Sequence, residues 1–352
     1  MGKRIVIMAG GTGGHVFPAL AVAQSLAEKG WQVSWLGTRK GLESRVVPEN
    51  GIEIDWLSVS GVRGKGIMAK LKAVLMLAKA CMQALKVLRR RKPDVVLGMG
   101  GFVAGPGGLM AKLLGIPLVI HEQNRVPGTT NRLLAKIANR ILEAFPDSFN
   151  KDVKAECTGN PLRKQFLDRL DGSKGEQDKQ GVRILVVGGS QGAQVLNEIV
   201  PEAVRQLQDV RVKHQTGTAM CEQVKSRYKD LGVNADVSAF IDDMVFAYQW
   251  ADMVICRAGA MTVSEVAALG VPAIFIPLPH AIDDHQTANA RYLTDAGAGI
   301  CLMQKDLNAA TLTEQITKML KQLDVMSKTA KQCARLDATE VVADYCMAEA
   351  GL

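Results

Sequence analysis

A disulfide framework is the first thing this chain lacks the means to build. Its seven cysteines (Cys81, Cys157, Cys221, Cys256, Cys301, Cys333 and Cys346) stand singly, with no C-x-x-C and an odd total. They read as small core residues of a reducing compartment. No stretch holds the ~20 uninterrupted apolar residues of a membrane span. The N-terminus enters a β-like run almost at once, without the charged and apolar regions and cleavage site of a secretory signal, so the expectation is a protein that stays inside the cell. No G-x-x-x-x-G-K-[ST] loop occurs. The dinucleotide spacing G-x-G-x-x-G fails in the first glycine-rich loop because position 16 is Val, and WLGTRKG offers no ribose-binding acid after the second β-like run. Hydride transfer and ordinary NTP hydrolysis are thereby disfavoured. With no D-x-D in a suitable loop and no Cys/His cluster of ligand spacing, the expected chemistry uses neither a divalent metal nor a cofactor.

Acidic residues are missing from one long segment. Residues 61–92 hold ten Lys and Arg and no Asp or Glu, more than the whole chain's net charge of +8. That asymmetry points to an anionic partner. Residues 67 to about 91 form a long helical candidate in which Ile67, Leu71, Leu75, Ala78 and Met82 share one face, with Lys70, Lys72 and Lys79 along its margins. Such a stripe faces either a core or a bilayer, and basic residues near an anionic bilayer are worth ~1 kcal/mol each. Lys65 adds to the charge. A nucleic-acid partner is not expected, because the segment has no interleaved aromatics for base stacking.

The length of 352 residues suits two domains, and 47% hydrophobic with 22% charged residues describes an ordinary globular chain. The stretch RIVIMAGGTGGH at 4–15 is an apolar run opening onto a glycine-rich loop, followed by a helix whose N-terminal N–H groups favour anions. Residues 182–193, VRILVVGGSQGA, repeat the design. Between them β-like runs at 31–37, 52–59, 94–99, 117–122 and 140–145 alternate with helical stretches, and GMGGFVAGPGG makes another glycine-rich turn. After a break near Asn160 and Pro161 the alternation restarts at 182 and continues through 298–303, with helix from Thr311 to the end. This is the pattern of two parallel α/β domains with sheets covered on both faces. The boundaries are drawn at 1–160 and 161–337, with a last helix at about 338–352 that returns to the first domain.

In the second half, RAGAMTVSE at 257–265 follows the strand-like MVIC. Its loop backbone faces a site, and Glu265 lies about one turn into the next helix. That carboxylate can accept two ribose hydroxyls or simply favour a helix N-terminus. Gln286 and Asn289, three apart on one helix face, can read sugar hydroxyls or face water. Histidine as a residue type titrates near ~6.5, the range of a general base, which makes His15 the candidate, while a structural bond to the loop backbone explains it equally well. His121 and Glu122, at the end of a strand, are second choices for that task.

GGTGGH, GMGGFVAGPGG, HEQN at 121–124, GNPLR at 159–163, GGSQGA, FIDDM at 240–244 and RAGAMTVSE follow one another in this order. Together they resemble the bacterial peptidoglycan N-acetylglucosaminyltransferases that convert lipid I to lipid II, over at least four-fifths of the chain. The resemblance implies a GT-B glycosyltransferase fold, two Rossmann-like domains facing across a cleft, the C-terminal one holding UDP-GlcNAc. It implies inverting transfer of GlcNAc to the C4 hydroxyl of MurNAc in the undecaprenyl-linked acceptor. Thr12, Gly13, Gly14 and Asn124 would face the donor sugar. Arg163 and Ser190 would lie near the diphosphate and Ile241 near uracil. Ala260, Met261, Thr262, Val263, Ser264 and Glu265 would line the nucleotide, with Glu265 on ribose, and Gln286 would read GlcNAc. The family is peripheral to the cytoplasmic face of the inner membrane, which leaves room for other cell-wall synthesis proteins as partners. A UDP-GlcNAc 2-epimerase of the same fold and a nucleotide-regulated membrane-binding module are the competing functions.

Overall fold

A computed structural model describes residues 2–60, 67–170, 181–189, 192–279 and 284–351, apart from the side chains of residues 67–70. The chain divides into two compact units, Met1–Lys164 with Arg335–Leu352, and Gln165–Ala334.

Short apolar runs in the first unit form strands β1 (Arg4–Met8), β2 (Gln32–Gly37), β3 (Glu53–Trp56), β4 (Val95–Gly98), β5 (Leu118–Glu122), β6 (Arg140–Glu143) and β7 (Glu156–Cys157). They pair in parallel in the order β3-β2-β1-β4-β5-β6-β7. Side chains alternate between the faces of a strand, so β1 sends Ile5 and Ile7 into one core and Val6 and Met8 into the other. Helices therefore cover both faces. The first core takes Val16 and Leu26 of the helix Gly13–Glu28 and Val342, Ala343 and Cys346 of the C-terminal helix Ala338–Glu349. The second takes Ala84, Val87 and Leu88 of the long helix Ile67–Arg91 and Met110 of the helix Ala104–Leu113. β7 falls in a stretch whose sequence reads as irregular, because two residues are too few to show a period.

The second unit repeats the plan with β8 (Val182–Val187), β9 (Val210–Gln215), β10 (Asn234–Ser238), β11 (Met253–Cys256), β12 (Ala273–Phe275) and β13 (Gly299–Cys301). Their parallel order is β10-β9-β8-β11-β12-β13. Ile184, Val186 and Ile255 meet Leu196 and Val200 of the helix Gln194–Val204 and Leu312 and Ile316 of the helix Ala309–Leu320 in the core.

The long helix turns a different face to the protein from its most regular apolar stripe. Ala80, Ala84, Val87 and Leu88 are buried, while Leu71, Leu75 and Met82 are 52%, 62% and 59% exposed. The core-facing reading of that stripe is thus replaced: Ala80, Ala84, Val87 and Leu88 pack inward, and Leu71, Leu75, Ala78 and Met82 face out. Lys72 and Lys79 are also exposed. Lys65 and the side chains of Ile67 and Lys70 lie outside the described residues.

Candidate active site

Each sheet reverses its strand order once, between β1 and β4 in the first unit and between β8 and β11 in the second. Loops leaving the carboxyl ends of two such strands diverge and open a crevice, the usual ligand position in a doubly wound sheet. In the first unit those loops are the glycine-rich stretches after β1 and β4. A Cβ added to Gly101 (φ +79°) would stand 2.4 Å from the Gly10 carbonyl oxygen, so the two loops touch backbone to backbone. The wholly buried Glu43 ties the first loop down: its carboxylate accepts from the Gly11 N–H at 2.9 Å and from the Thr38 N–H and hydroxyl at 2.8 Å each.

His15 enters from this loop in the first turn of the helix Gly13–Glu28, half-buried. Its Nδ1 lies 2.6 Å from Oε1 of Gln123, a residue with no exposed surface. Gln123 Nε2 lies 2.9 Å from the His121 carbonyl oxygen and 3.0 Å from His121 Nδ1, and His121 Nε2 meets the Gly159 carbonyl at 2.9 Å. Complete burial holds the His121 imidazole down to about pKa 4. Thr12 is exposed at the N-cap position, where its side chain makes no capping bond and its carbonyl accepts from the His15 and Val16 N–H groups. Gly13 and Gly14 begin the helix, so their N–H groups have no acceptor within it. The Arg163 guanidinium sits 5.2 Å over the ring of Phe17 on the same helix.

The second-choice base is not supported. Glu122 is 1% exposed, and its two oxygens accept from the Asn124 N–H (2.9 Å), Asn124 Nδ2 (3.2 Å), the Gly128 N–H (3.0 Å) and Asn131 Nδ2 (2.9 Å). A carboxylate so satisfied fastens the turn after β5 and brings half-buried Asn124 with it.

In the second unit, the loop after β8 contains Gly189 (φ +90°) and Gly192 (φ +74°), and a Cβ on Gly192 would fall 1.9 Å from the Thr216 carbonyl oxygen. The helix Gln194–Val204 follows without a side-chain cap. Ser190 lies outside the described residues. The sequence reading overlooked Gln215, 3% exposed at the end of β9. Its Nε2 donates to the Gly189 carbonyl at 3.0 Å and its Oε1 accepts the Ile241 N–H at 3.0 Å. That amide joins the two loops assigned to diphosphate and uracil, and it commits the Ile241 N–H.

The loop after β11 opens the helix Ala260–Leu269, with Gly259 at its N-cap position. Glu265 is half-buried there, and its Oε2 accepts the hydroxyl of buried Tyr248 at 3.3 Å. Burial and the neighbouring carboxylate push the Tyr248 phenol well above its ordinary pKa, so it stays a donor. Met261, Thr262 and Ser264 are half-buried, the last donating to the Ala260 carbonyl at 3.0 Å. Ala260 and Val263 are 6% and 0% exposed, so their side chains belong to the core and only backbone can serve a ligand. Asn289 also needs correction: it is wholly buried and donates to the Ala258 carbonyl at 3.2 Å, bracing the loop instead of facing a sugar. Gln286 takes part in the same bracing, its Oε1 accepting from the Leu278 N–H at 3.0 Å and the Ala258 N–H at 3.3 Å. Among the described residues, no three His, Cys, Asp or Glu side chains gather as a metal-binding group.

Two doubly wound parallel-sheet units, each with a glycine-rich loop at its switch point, make the GT-B fold, and the family matches make the chain a glycosyltransferase. The chain matches the glycosyltransferase family 28 N-terminal domain over residues 5–143 and the C-terminal domain of that family over residues 183–345. It is 58% identical, over the full length of both chains, to the UDP-N-acetylglucosamine–N-acetylmuramyl-(pentapeptide) pyrophosphoryl-undecaprenol N-acetylglucosamine transferase of Methylococcus capsulatus. The crystal structure of Acinetobacter baumannii MurG superposes with a TM-score of 0.86 at 44% identity, covering 98% of this chain and 99% of that one. The chain therefore belongs to the family of these N-acetylglucosamine transferases within glycosyltransferase family 28. A UDP-GlcNAc 2-epimerase from Neisseria meningitidis shares the fold alone, at 15% identity and a TM-score of 0.69 over 98% of this chain and 100% of that one.

Proposed function

We propose that this chain transfers GlcNAc from UDP-GlcNAc to the C4 hydroxyl of MurNAc in lipid I, giving lipid II for peptidoglycan synthesis, with inversion at the anomeric carbon and without a metal ion. The observation that carries this is the 58% identity to a transferase of that name from end to end. The 2-epimerase likeness reaches only the fold.

The chemistry divides between the units. In the second, the loop after β8 and the start of the helix Gln194–Val204 receive the diphosphate, where helix N–H groups favour the charge that develops as UDP departs. Ser190 is assigned here from its motif. Glu265, oriented by Tyr248, takes the ribose hydroxyls, and the turns held by Gln215 and Gln286 place backbone around uracil and GlcNAc. In the first unit, Thr12, Gly13, Gly14 and Asn124 border the reacting sugars, and Arg163 offers positive charge to the diphosphate. His15 Nε2 takes the proton of the C4 hydroxyl as that oxygen bonds to the anomeric carbon, and the bond from that carbon to the UDP oxygen breaks.

The lipid-linked acceptor gives the outward face of the long helix its use. Leu71, Val74, Leu75, Leu77 and Met82 are each about half exposed or more. Beside them Val74, Leu77, Phe102, Leu109, Leu133 and Ile137 help line an apolar groove of ≈ 590 Å³. With Lys72 and Lys79 exposed on the same helix, this surface suits peripheral binding to the anionic cytoplasmic leaflet. No described helix is long and apolar enough to cross a membrane.

One assay tests the reaction: UDP-GlcNAc is incubated in EDTA with and without a lipid I analogue and the sugar products are identified. The expected result is lipid II analogue and UDP, only when acceptor is present. Conversion to UDP-ManNAc without lipid would establish the epimerase, and binding of UDP and lipid without any turnover would establish the module.

A further inference from the structure

The contacts that join His15, Gln123, His121 and Gly159 have one consistent proton assignment. The Gly159 carbonyl can only accept, so His121 Nε2, 2.9 Å away, carries the hydrogen. Its ring is neutral, and Nδ1 is then a bare lone pair. Gln123 is oriented by the same logic: the group 2.9 Å from the His121 carbonyl oxygen must be the NH2, since an amide oxygen there would face another acceptor. The second hydrogen of that NH2 meets His121 Nδ1 at 3.0 Å. A further bond, from Asn160 Nδ2 to the Gln123 carbonyl at 3.1 Å, holds the backbone of this residue. Gln123 Oε1 is thereby turned to His15, and it too can only accept, so His15 Nδ1 carries the hydrogen across the 2.6 Å contact.

We propose that His121 and Gln123 are positioning residues that lock His15 in its Nδ1–H tautomer and leave Nε2 as the lone pair that receives a proton. The inference rests on the reading of His15 as the base. Every link from Gly159 to Gln123 has its donor and acceptor assigned by a group that cannot reverse, and both intermediate side chains are 0% exposed. A neutral amide also suits the position better than a carboxylate, which would lose the donor that His121 needs. Without Gln123 both tautomers of His15 populate, and Nε2 is protonated and useless as a base for part of the time.

The test uses the full-length protein with 15N-labelled histidine, the His15 signals being assigned by their loss in His15→Ala. Neutral His15 is expected to show a protonated, pyrrole-type Nδ1 and a bare, pyridine-type Nε2. In Gln123→Met, which fills similar space without the amide, the two signals should move toward averaged values. Its kcat with a lipid I analogue should fall about ten- to a hundred-fold, at or below the lower end of the ~10²–10⁴ that a general base supplies. KM for UDP-GlcNAc should stay unchanged, and kcat is taken per folded molecule, with the folded fraction measured by circular dichroism, because a loss of folded protein alone would lower apparent kcat in the same way. A wild-type spectrum with the proton on Nε2 overturns the proposal without any variant. So does unchanged kcat in folded Gln123→Met where His15→Ala is inactive. Near-normal turnover by His15→Ala would instead overturn the base reading, and the relay's catalytic role with it.

Discussion

Gly100 is the position where a single methyl group tests how His15 is held. It has φ +99°, and a Cβ there would lie 2.9 Å from both Cε1 and Nδ1 of the His15 ring. Ordinary contact begins near 3.4 Å, so Gly100→Ala forces the ring or the loop to retreat. The loop has little room, because the next residue, Gly101, is itself packed on the Gly10 backbone. A non-glycine residue in this region of φ costs about 1–3 kcal/mol, and displacing a reacting group by ~1 Å can cost ~10² in rate. A shift of about half that size predicts a kcat about tenfold lower, equivalent to ~1.4 kcal/mol in the barrier, with KM for UDP-GlcNAc unchanged. Gly30→Ala is the matched comparison: its φ is +82° and nothing lies within 4 Å of the added Cβ. Both variants should lose stability, each kcal/mol lowering Tm by about 2–4 °C in a unit of roughly 150–250 residues. Only Gly100→Ala should lose turnover. Equal kcat in the two, at comparable Tm, would refute the idea that this loop positions the imidazole.

Two histidines should make stability fall in acid. Burial depresses His121 to about 4 and His214 to about 3. Their contribution is complete above the unfolded value near ~6.5 and is lost progressively as pH falls from there toward the folded values, about 2 kcal/mol for each by pH 5. Urea unfolding at pH 7 and pH 5 measures this, and His214→Phe should show a smaller difference than the wild type; an equal difference would exclude that histidine as a source. Gln215→Leu removes the amide that joins Gly189 to Ile241 and should raise KM for UDP-GlcNAc about tenfold, in line with ~1–3 kcal/mol for unsatisfied buried groups. An unchanged KM would show that the two turns hold their places without it. Lys72→Glu combined with Lys79→Glu should weaken sedimentation with anionic vesicles at least about tenfold, from ~1 kcal/mol per basic residue. Binding that survives the double reversal would move the membrane contact elsewhere.

The strands were legible because apolar runs such as RIVIM and VRILVV must be buried on both faces, and the glycine loops because a backbone that approaches another backbone cannot carry a Cβ. Period alone left the long helix undecided. It put Leu71, Leu75, Ala78 and Met82 on one face, but whether that face meets protein depends on what the rest of the chain places beside it. Here Ala80, Ala84, Val87 and Leu88 fill the side that meets protein, and Leu71, Leu75, Ala78 and Met82 were left outside.

Polar residues at strand ends were the harder problem, since a ligand and the neighbouring backbone compete for the same hydrogen-bonding groups. Glu122 and Asn289 have the chemistry for a substrate, yet each is consumed by the turn it supports. The residues that hold the loops were less conspicuous. Gln123 follows β5 and reaches His15 across 108 positions of sequence; Gln215 ends β9 and reaches Gly189 and Ile241, each 26 positions away. No local pattern could identify those partners. Their chemistry nevertheless explains why glutamine stands in both places: one neutral side chain supplies a donor and an acceptor, spans two segments, and avoids the desolvation cost of burying a charge. Each unit thus uses a buried amide at a strand end to fix part of a glycine-rich loop, whose lack of side chains leaves it unable to fix itself.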